Sequence, residues 1–186
     1  PSTAAPRSPR TDLSAFDAAA YCAYLGKRLP SNDEWQKALR GGLRLPDGTT
    51  NPAPRRNLPW PPLDGGARTP AHLRDTAPQD EHTGALIDGP RAVDANPDDR
   101  SPYGVLGLAG NVHEWTRSPV RAALDQPARP GQLPMRITRG GNWATTTSED
   151  LVNYMVLENE RSPRQVNYYL GARCVLWEGS SATHTP

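Results

Sequence analysis

Lysine is nearly absent from this sequence, and so are long apolar runs and any large excess of one charge. The only lysines are Lys27 and Lys37, so arginine supplies almost all of the positive charge. Because 21 basic residues oppose 20 acidic ones, the net charge is +1, which gives no field that would attract nucleic acid or a membrane surface. No segment reaches the roughly 18 consecutive apolar residues that a membrane-spanning helix needs. We therefore expect neither a nucleic-acid partner nor a membrane span.

Cysteine is also scarce, with only Cys22 and Cys174 in 186 residues. Two cysteines do not make the disulfide framework of a small secreted protein. A chain of this length can instead build one domain on a hydrophobic core. The chain begins with Pro1 and shows no charged and then apolar leader, so we expect the native amino terminus to lie further upstream. For this segment the sequence favours a cytoplasmic location.

Proline and glycine, in contrast, are abundant, with 21 and 16 residues. Proline ends helices and interrupts the hydrogen bonding of sheets, so we expect a body of short elements and ordered loops. Residues 1–12 have no apolar period and predict a linker. Residues 13–177 predict the domain, and residues 178–186 predict a flexible tail.

Two capped helices are predicted near the start of the domain. Ser14 with Asp17, and Ser31 with Glu34, have the spacing of capping boxes, and glycine follows each helix. The apolar face of the first helix comprises Phe16, Ala20, Tyr21, Tyr24 and Leu25. The inward face of the second comprises Trp35, Ala38 and Leu39.

Three later segments predict strands. These are the end of 103–116, then 135–143, then 171–177. Residues 43–100 predict loops, and a polar stretch, 144–170, separates the last two strands.

Four segments resemble the formylglycine-generating-enzyme, or sulfatase-modifying-factor, family in order and spacing. They are AAYCAYLGKRLPSNDEWQKALRGG at 19–42, LPWP at 58–61, YGVLGLAGNVHEWT at 103–116, and RITRGGNW…GARCV at 136–175. The resemblance implies an α+β, C-type-lectin-like fold with two helices, small antiparallel sheets and much irregular coil. Family members usually carry further strands before the first helix, so we expect an upstream segment of the protein to complete the fold.

The resemblance also implies a loss of catalysis. Enzymes of this family bind copper through two cysteines just beyond the strand that matches Arg139–Trp143. This chain has Thr145 and Asp150 at those positions. Because Cu(I) prefers soft thiolates to a hydroxyl or a carboxylate, we expect no catalytic residue here.

Two alternatives stay open. The sulfoxide synthases of this family hold iron with histidines of a separate helical domain. The four histidines here, His72, His82, His113 and His184, have no metal-ligand spacing, so this alternative needs an upstream metal-binding domain. The other alternative is an accessory module fused to a bacterial signalling kinase.

Three further residues acquire candidate roles from the resemblance. The resemblance implies that Cys22 on the first helix lies next to Cys174 on the last strand. The pair is a disulfide in secreted relatives, and the alternative is two buried thiols, which a cytoplasmic location favours. Glu114 matches a carboxylate of a family calcium site, but Gly107 replaces another ligand and weakens that site. The alternative role for Glu114 is to bind local backbone amides. We therefore expect no cofactor, and calcium at Glu114 is the one candidate metal.

The stretch 144–170 departs most from the family. Enzymes of the family have arginines here, whereas this chain has clusters of Thr, Ser, Asn and Tyr, a mixture that binding loops use. Seven side chains are candidate ligand-binding residues that should project outward: Thr145, Thr147, Asn153, Tyr154, Asn167, Tyr168 and Tyr169. The residues expected to pack inward are Trp143, Leu151, Leu170 and Cys174.

The variable proteins of diversity-generating retroelements also use this fold and vary near the same place. Adenine-directed changes of AAC codons reach every residue type in the three polar clusters of this stretch, which are 145–148, 153–154 and 167–169. The resemblance therefore favours a non-catalytic domain that displays a variable face to a protein or other macromolecular ligand. A plain solvated polar loop is the alternative interpretation of 144–170.

Overall fold

A computed structural model describes residues 7–60, 70–73, 89–120, 131, 133–146 and 148–176. The side chains of residues 148–150 and of Asn153 lie outside this description, as do Thr147, His82, His184 and the segment 178–186. Three helices are α1 (Ala15–Tyr24), α2 (Asn32–Arg40) and α3 (Ser148–Val156). The strands are β1 (His113–Pro119), β2 (Arg136–Arg139), β3 (Asn159–Arg161) and β4 (Leu170–Gly171). In the described part of the chain, no helix has the length and apolar character to cross a membrane.

Both predicted capping boxes are confirmed. The Ser14 side chain accepts a hydrogen bond from the Asp17 amide, and Ser31 does the same for Glu34. These bonds satisfy amides that the first turn of a helix leaves without a partner, which fixes where each helix begins. α2 ends at Gly41, whose φ of 85° favours glycine. Of the three residues that α2 was expected to turn inward, Trp35 and Leu39 are buried and Ala38 is partly buried.

α1 turns a different face inward from the one its sequence predicts. Its buried residues are Ala15, Ala18 and Cys22. The larger residues are exposed: Phe16 by 51%, Tyr21 by 54%, Tyr24 by 85% and Leu25 by 39%. The prediction is wrong because Trp115 and Leu170 already fill the core beneath α1, so only small side chains fit between them and the helix.

One four-stranded sheet lies at the centre, in the order β3-β2-β1-β4. β1 pairs antiparallel with β2 and parallel with β4, and β2 pairs antiparallel with β3. β2 is shorter than the predicted 135–143 because Gly140 and Gly141 have φ of 101° and 70°, which ends the extended conformation. The last predicted strand is also reduced, to β4 and an isolated bridge between Arg28 and Val175.

α3 was not predicted, and it lies inside the polar stretch 144–170. Leu151 and Met155 anchor it in a core with Trp35 and Leu39. Its carboxyl end is held by the buried Arg139, whose Nη1 donates to the carbonyls of residues 155, 156 and 157 at 3.3, 3.1 and 2.6 Å. A cation bonded to the last carbonyls stabilises a helix end, so β2 fixes where α3 stops.

The described part of the segment expected to be a linker contacts the rest of the chain. The Val93 amide donates to the Arg7 carbonyl at 2.9 Å, and the Asp12 amide donates to the Asn167 carbonyl at 3.1 Å. Residues 7–12 are therefore bonded both to the loop before β1 and to the turn before β4.

Candidate functional site

Five rings from four separate segments form a continuous row, called the aromatic row below. The Tyr168 ring lies 5.7 Å from Trp143 and 5.1 Å from Tyr169, measured between centroids. Tyr169 lies 5.8 Å from His113, and His113 lies 5.0 Å from Tyr154. Most of these contacts are edge-to-face, a geometry that stabilises aromatic pairs.

The rings of the row differ in exposure: the His113 side is its buried end and the Tyr168 side its exposed end, with one half-buried ring beyond each. His113 is 1% exposed, Tyr154, Tyr169 and Trp143 are half-buried, and Tyr168 is 56% exposed. The buried end is fixed by β1, on which His113 pairs with Leu170 of β4. The exposed end is therefore held by contacts with rings that are anchored beneath it.

A tight turn presents the exposed end. The Leu170 amide donates to the Asn167 carbonyl at 3.0 Å, so Tyr168 and Tyr169 occupy the middle of the turn. The Asn167 carbonyl also accepts from Asp12, which ties the turn to the segment before α1. The Arg161 guanidinium lies 5.7 Å from the Tyr169 ring centre, a distance at which a cation is attracted to an aromatic face.

The structure brings together part of the predicted binding set. Tyr154, Tyr168 and Tyr169 share the row, and Asn167, which is half-buried, begins the turn that carries two of them. Leu151 and Leu170 are fully buried, as expected. Thr147 and the Asn153 side chain lie outside the described residues.

Two orientations differ from those expected. Thr145 is only 4% exposed, and its Oγ1 accepts a hydrogen bond from the Asn142 amide at 3.1 Å. The hydroxyl closes a turn rather than facing solvent, so the outward prediction for Thr145 is wrong. Trp143, expected inward, is half-buried because its ring lies against Tyr168 at the edge of the row.

Two residues of the row, His113 and Trp143, were not among the predicted binding residues. Burial lowers the pKa of the His113 imidazole to about 3, so the ring is neutral near pH 7. A neutral ring packs between two tyrosines without an unpaired buried charge. Strand alternation carried a signal, because His113 and the buried Trp115 lie on the same face of β1.

Glu114, the neighbour of His113, lies in a buried ionic cluster. Its Oε2 accepts from Trp35 Nε1 and from Arg173 Nε, each at 2.7 Å, and its Oε1 accepts from Arg173 Nη2 at 2.6 Å. Arg173 Nη2 also donates to the carbonyls of Leu106 and Gly107, at 3.2 and 2.9 Å. Both oxygens of Glu114 therefore bind the side chains of Trp35 and Arg173 rather than the backbone amides of the alternative role, and calcium binding at Glu114 stays a prediction.

The described residues also do not fit a copper centre. Cys22 and Cys174 form a disulfide with Cα atoms 5.4 Å apart, so the pair has the proximity that the resemblance implied and neither is a free thiol. These are the only cysteines of the chain. Because the two cysteines are bonded to each other and position 145 is a threonine, no thiolate is present to hold Cu(I).

The described histidines are occupied in packing or in a local hydrogen bond. His72 Nε2 lies 2.9 Å from the Gly89 carbonyl, and His113 packs in the aromatic row. Among the residues that the structure describes, no three His, Cys, Asp or Glu side chains are grouped to hold a metal ion.

Residues 1–177 match the family model of the sulfatase-modifying factor enzyme 1-like domain. The chain is 33% identical over 177 residues to the inactive C-alpha-formylglycine-generating enzyme 2 of Bos taurus, covering 92% of this chain and 51% of that protein. It is 34% identical to the formylglycine-generating enzyme of Thermomonospora curvata, covering 97% and 54%. It is also 31% identical to the hercynine oxygenase of Mycolicibacterium smegmatis, covering 73% and 30%. The chain thus spans about half of the first two relatives and less of the third.

Solved structures share the fold at low sequence identity. PvdO from Pseudomonas aeruginosa superposes with a TM-score of 0.61 at 18% identity, over 92% of this chain and 62% of that one. Treponema denticola variable protein 1 superposes with a TM-score of 0.57, also at 18% identity, over 92% and 73%. These similarities agree with the C-type-lectin-like architecture that the sequence predicts.

Proposed function

This chain belongs to the sulfatase-modifying factor enzyme 1-like family, and we propose that it is a non-catalytic ligand-binding domain of that family. The binding surface is the exposed part of the aromatic row, with the neighbouring solvent-facing residues of 144–170. One observation carries this proposal: rings from four segments converge and lead from a buried histidine to the exposed Tyr168.

The chemistry of the row supports ligand binding. Tyrosine offers a large contact area and a hydroxyl at small entropic cost, and binding loops use it with Ser and Asn for this reason. Tyr168 is held by rings on both sides and remains 56% exposed, so a partner would meet a side chain that is already ordered. A row of this kind suits a protein or another macromolecule.

The proposal extends to variability of the surface. Asn167, Tyr168 and Tyr169 are all residue types that adenine-directed changes of AAC codons reach, and they lie in one turn. The backbone of that turn is bonded through the Asn167 carbonyl to the Asp12 and Leu170 amides, which supports a turn that keeps its shape when Tyr168 and Tyr169 are replaced. This is the arrangement that a retroelement-diversified variable protein would need.

Display of a diversified library tests the proposal. Tyr154, Asn167, Tyr168 and Tyr169 would be randomised among Asn, Tyr, Ser and Asp on yeast and sorted against biotinylated lysozyme as the probe. A matched control library would randomise four sites of the loop after α2: Asp47, Thr49, Pro52 and Arg55. Binders should arise from the first library alone. Equal yields from both libraries, or few folded clones in the first, would contradict the proposal.

Catalysis is tested separately. Purified domain, copper and oxygen would be incubated with a sulfatase-type cysteine peptide, and mass spectrometry would follow the thiol. We expect no conversion to the aldehyde, because the two cysteines of the chain are bonded to each other. Conversion would show that the domain is an enzyme.

The similarity to a hercynine oxygenase supports one second candidate, an enzyme that takes its metal ligands from another domain. That activity would need residues upstream of this chain, which covers 30% of the Mycolicibacterium protein. Joining the domain to the rest of its protein and measuring iron binding with and without the upstream part would test this candidate.

A further inference from the structure

The exposed face of α1 is apolar although nothing in the described structure covers it. Five residues lie side by side on this face at helical spacing: Phe16, Ala19, Ala20, Ala23 and Tyr24. A surface helix normally places charged or polar residues on its solvent side, so this face is unusual. Phe16 and Tyr24 are 51% and 85% exposed. Contiguous exposed apolar surface of this kind marks interaction sites.

A groove adjoins this face. Its volume is about 720 Å³, within the range of ligand-binding clefts. Ala19, Ala23 and Leu29 give it an apolar floor, and the charged side chains in its wall are Lys27, Arg28, Glu34 and Arg117. Because Ala19 and Ala23 belong to both features, the helix face and the groove form one surface.

The charges in the groove wall do not cancel. Arg28 and Glu34 are bonded to each other, with 2.6 Å between Arg28 Nη1 and Glu34 Oε2. This bond holds the pKa of Glu34 at about 2, and the Ser31 amide also donates to the carboxylate. Lys27 and Arg117 form no ion pair with any carboxylate of the described residues. Two positive charges are therefore left over the apolar floor.

We propose that this surface, the α1 groove, docks an acidic and apolar segment of a partner polypeptide. Apolar side chains of the segment would lie on Ala19, Ala23 and Phe16, and its carboxylates would face Lys27 and Arg117. The fixed Arg28–Glu34 pair shapes the wall between them. This surface shares no residue with the aromatic row, so it is a second interaction site, independent of the proposed ligand-binding face.

The shape of the surface favours a polypeptide over a lipid membrane. A membrane is met by a projecting face, whereas the charges here lie in the wall of a concave groove that an inserted chain can fill.

Selection from a random peptide library tests the proposal. A phage-displayed library of 12-residue peptides would be selected on the immobilised domain. We expect the enriched peptides to combine acidic and apolar residues, and K27E/R117E to weaken their binding at least tenfold. Ala23→Glu, which places a charge on the groove floor, should weaken it similarly. Arg55→Glu reverses an exposed charge outside the groove and serves as the control, with less than a twofold change expected.

Each other outcome overturns the proposal. Enriched peptides that lack acidic residues, or that bind K27E/R117E as well as the parent, would exclude the charge argument. Failure to enrich any peptide would exclude a polypeptide partner. Binding to phosphatidylserine vesicles that K27E/R117E abolishes, without peptide binding, would assign the surface to a membrane. Thermal midpoints within about 2 °C of the parent would show that the variants are folded.

Discussion

His113 and Glu114 are adjacent on β1, and they lead into two regions of different character. Glu114 lies in a buried ionic cluster in which all five hydrogen bonds join residues far apart in sequence. His113 is the buried ring of the aromatic row, and Tyr169 connects it to the exposed Tyr168. The Glu114 cluster holds α2, β1 and the segment after β4 together. The aromatic row depends on that scaffold and adds ring contacts at the surface of the domain. Stability should therefore be concentrated on the Glu114 side and tolerance to substitution on the Tyr168 side.

The largest effect is expected at Glu114. Glu114→Ala leaves the Arg173 guanidinium without its anion and Trp35 Nε1 without its acceptor, so we expect the free energy of unfolding to fall by about 3–5 kcal/mol. Urea unfolding measured by tryptophan fluorescence would give this value. Glu34→Ala is the matched control, because it removes a carboxylate from an arginine pair at the surface and should cost about 1–2 kcal/mol. Equal losses would show that the two regions are not distinct.

A second large effect is expected at the disulfide. Cys22 and Cys174 are 152 residues apart, and closing so long a loop restricts the unfolded chain. The chain-entropy model gives about 5 kcal/mol, and the measured range for native disulfides is about 2–5 kcal/mol. The double variant Cys22→Ser/Cys174→Ser should lose stability within this range, measured by urea unfolding.

Reductant provides the control for that prediction. Adding dithiothreitol should destabilise the parent and leave the double variant unchanged. No difference between parent and variant would mean that the pair is reduced in solution, as the sequence analysis favoured for a cytoplasmic protein. Disulfides persist in oxidising compartments, so the redox state of the pair in cells also tests that location.

The sequence predicted local features of the scaffold better than it predicted packing. The capping boxes depend on side chains three residues apart, so Ser14 and Ser31 identified both helix starts. The inward face of α1 was wrong because it depends on Trp115 and Leu170, which are distant in sequence. α3 was missed because only two of its residues, Leu151 and Met155, are in the hydrophobic core, which gives a weak helical pattern. Its carboxyl end is also capped by Arg139 of β2 and not by a residue of its own segment.

The same limit applies to the candidate site. Residue type selected Tyr154, Tyr168 and Tyr169, because binding loops use tyrosine together with Ser and Asn, and the structure brings the three rings into one row. Their role in binding stays a prediction. Residue type gave the wrong orientation for Thr145, because a threonine that closes a turn cannot be distinguished in the sequence from one that faces solvent. The role of Glu114 could be assigned only from its partners, which arrive from α2 and from the segment after β4.

A smaller effect is expected from Asp99, which belongs to the scaffold side of the comparison. Asp99 is 1% exposed, its Oδ2 accepts from the Ala109 amide at 3.3 Å, and its Oδ1 has no hydrogen-bond partner among the described residues. Burial raises the pKa of this carboxyl from 3.8 to about 7. Below about pH 4 the carboxyl is protonated in both states, whereas between pH 4 and 7 it ionises first in the unfolded chain. Stability should therefore fall as the pH rises through this window, by about 1–4 kcal/mol.

Asp99→Asn should reduce that pH dependence. The amide keeps an acceptor for Ala109 and carries no charge, so the variant should be more stable than the parent at pH 8 and similar to it at pH 4.5. Urea unfolding at both values would measure the difference. Asp98→Asn, at an exposed neighbouring position, is the control and should leave the pH profile of the parent unchanged. A profile that Asp99→Asn does not alter would contradict the raised pKa.

The smallest effect is expected at the exposed end of the aromatic row. Tyr168→Ser removes a ring that is 56% exposed but contacts the Trp143 and Tyr169 rings, so the free energy of unfolding should fall by about 1 kcal/mol. Tyr169→Ser should cost more, because that ring is half-buried against both His113 and Tyr168. Leu170→Ala, one residue further into the core, should cost about 2–5 kcal/mol and is the matched control for this gradient. Urea unfolding of the three variants would measure it. Three similar losses would place the turn in the core, and the proposal of a freely variable binding face would then fail.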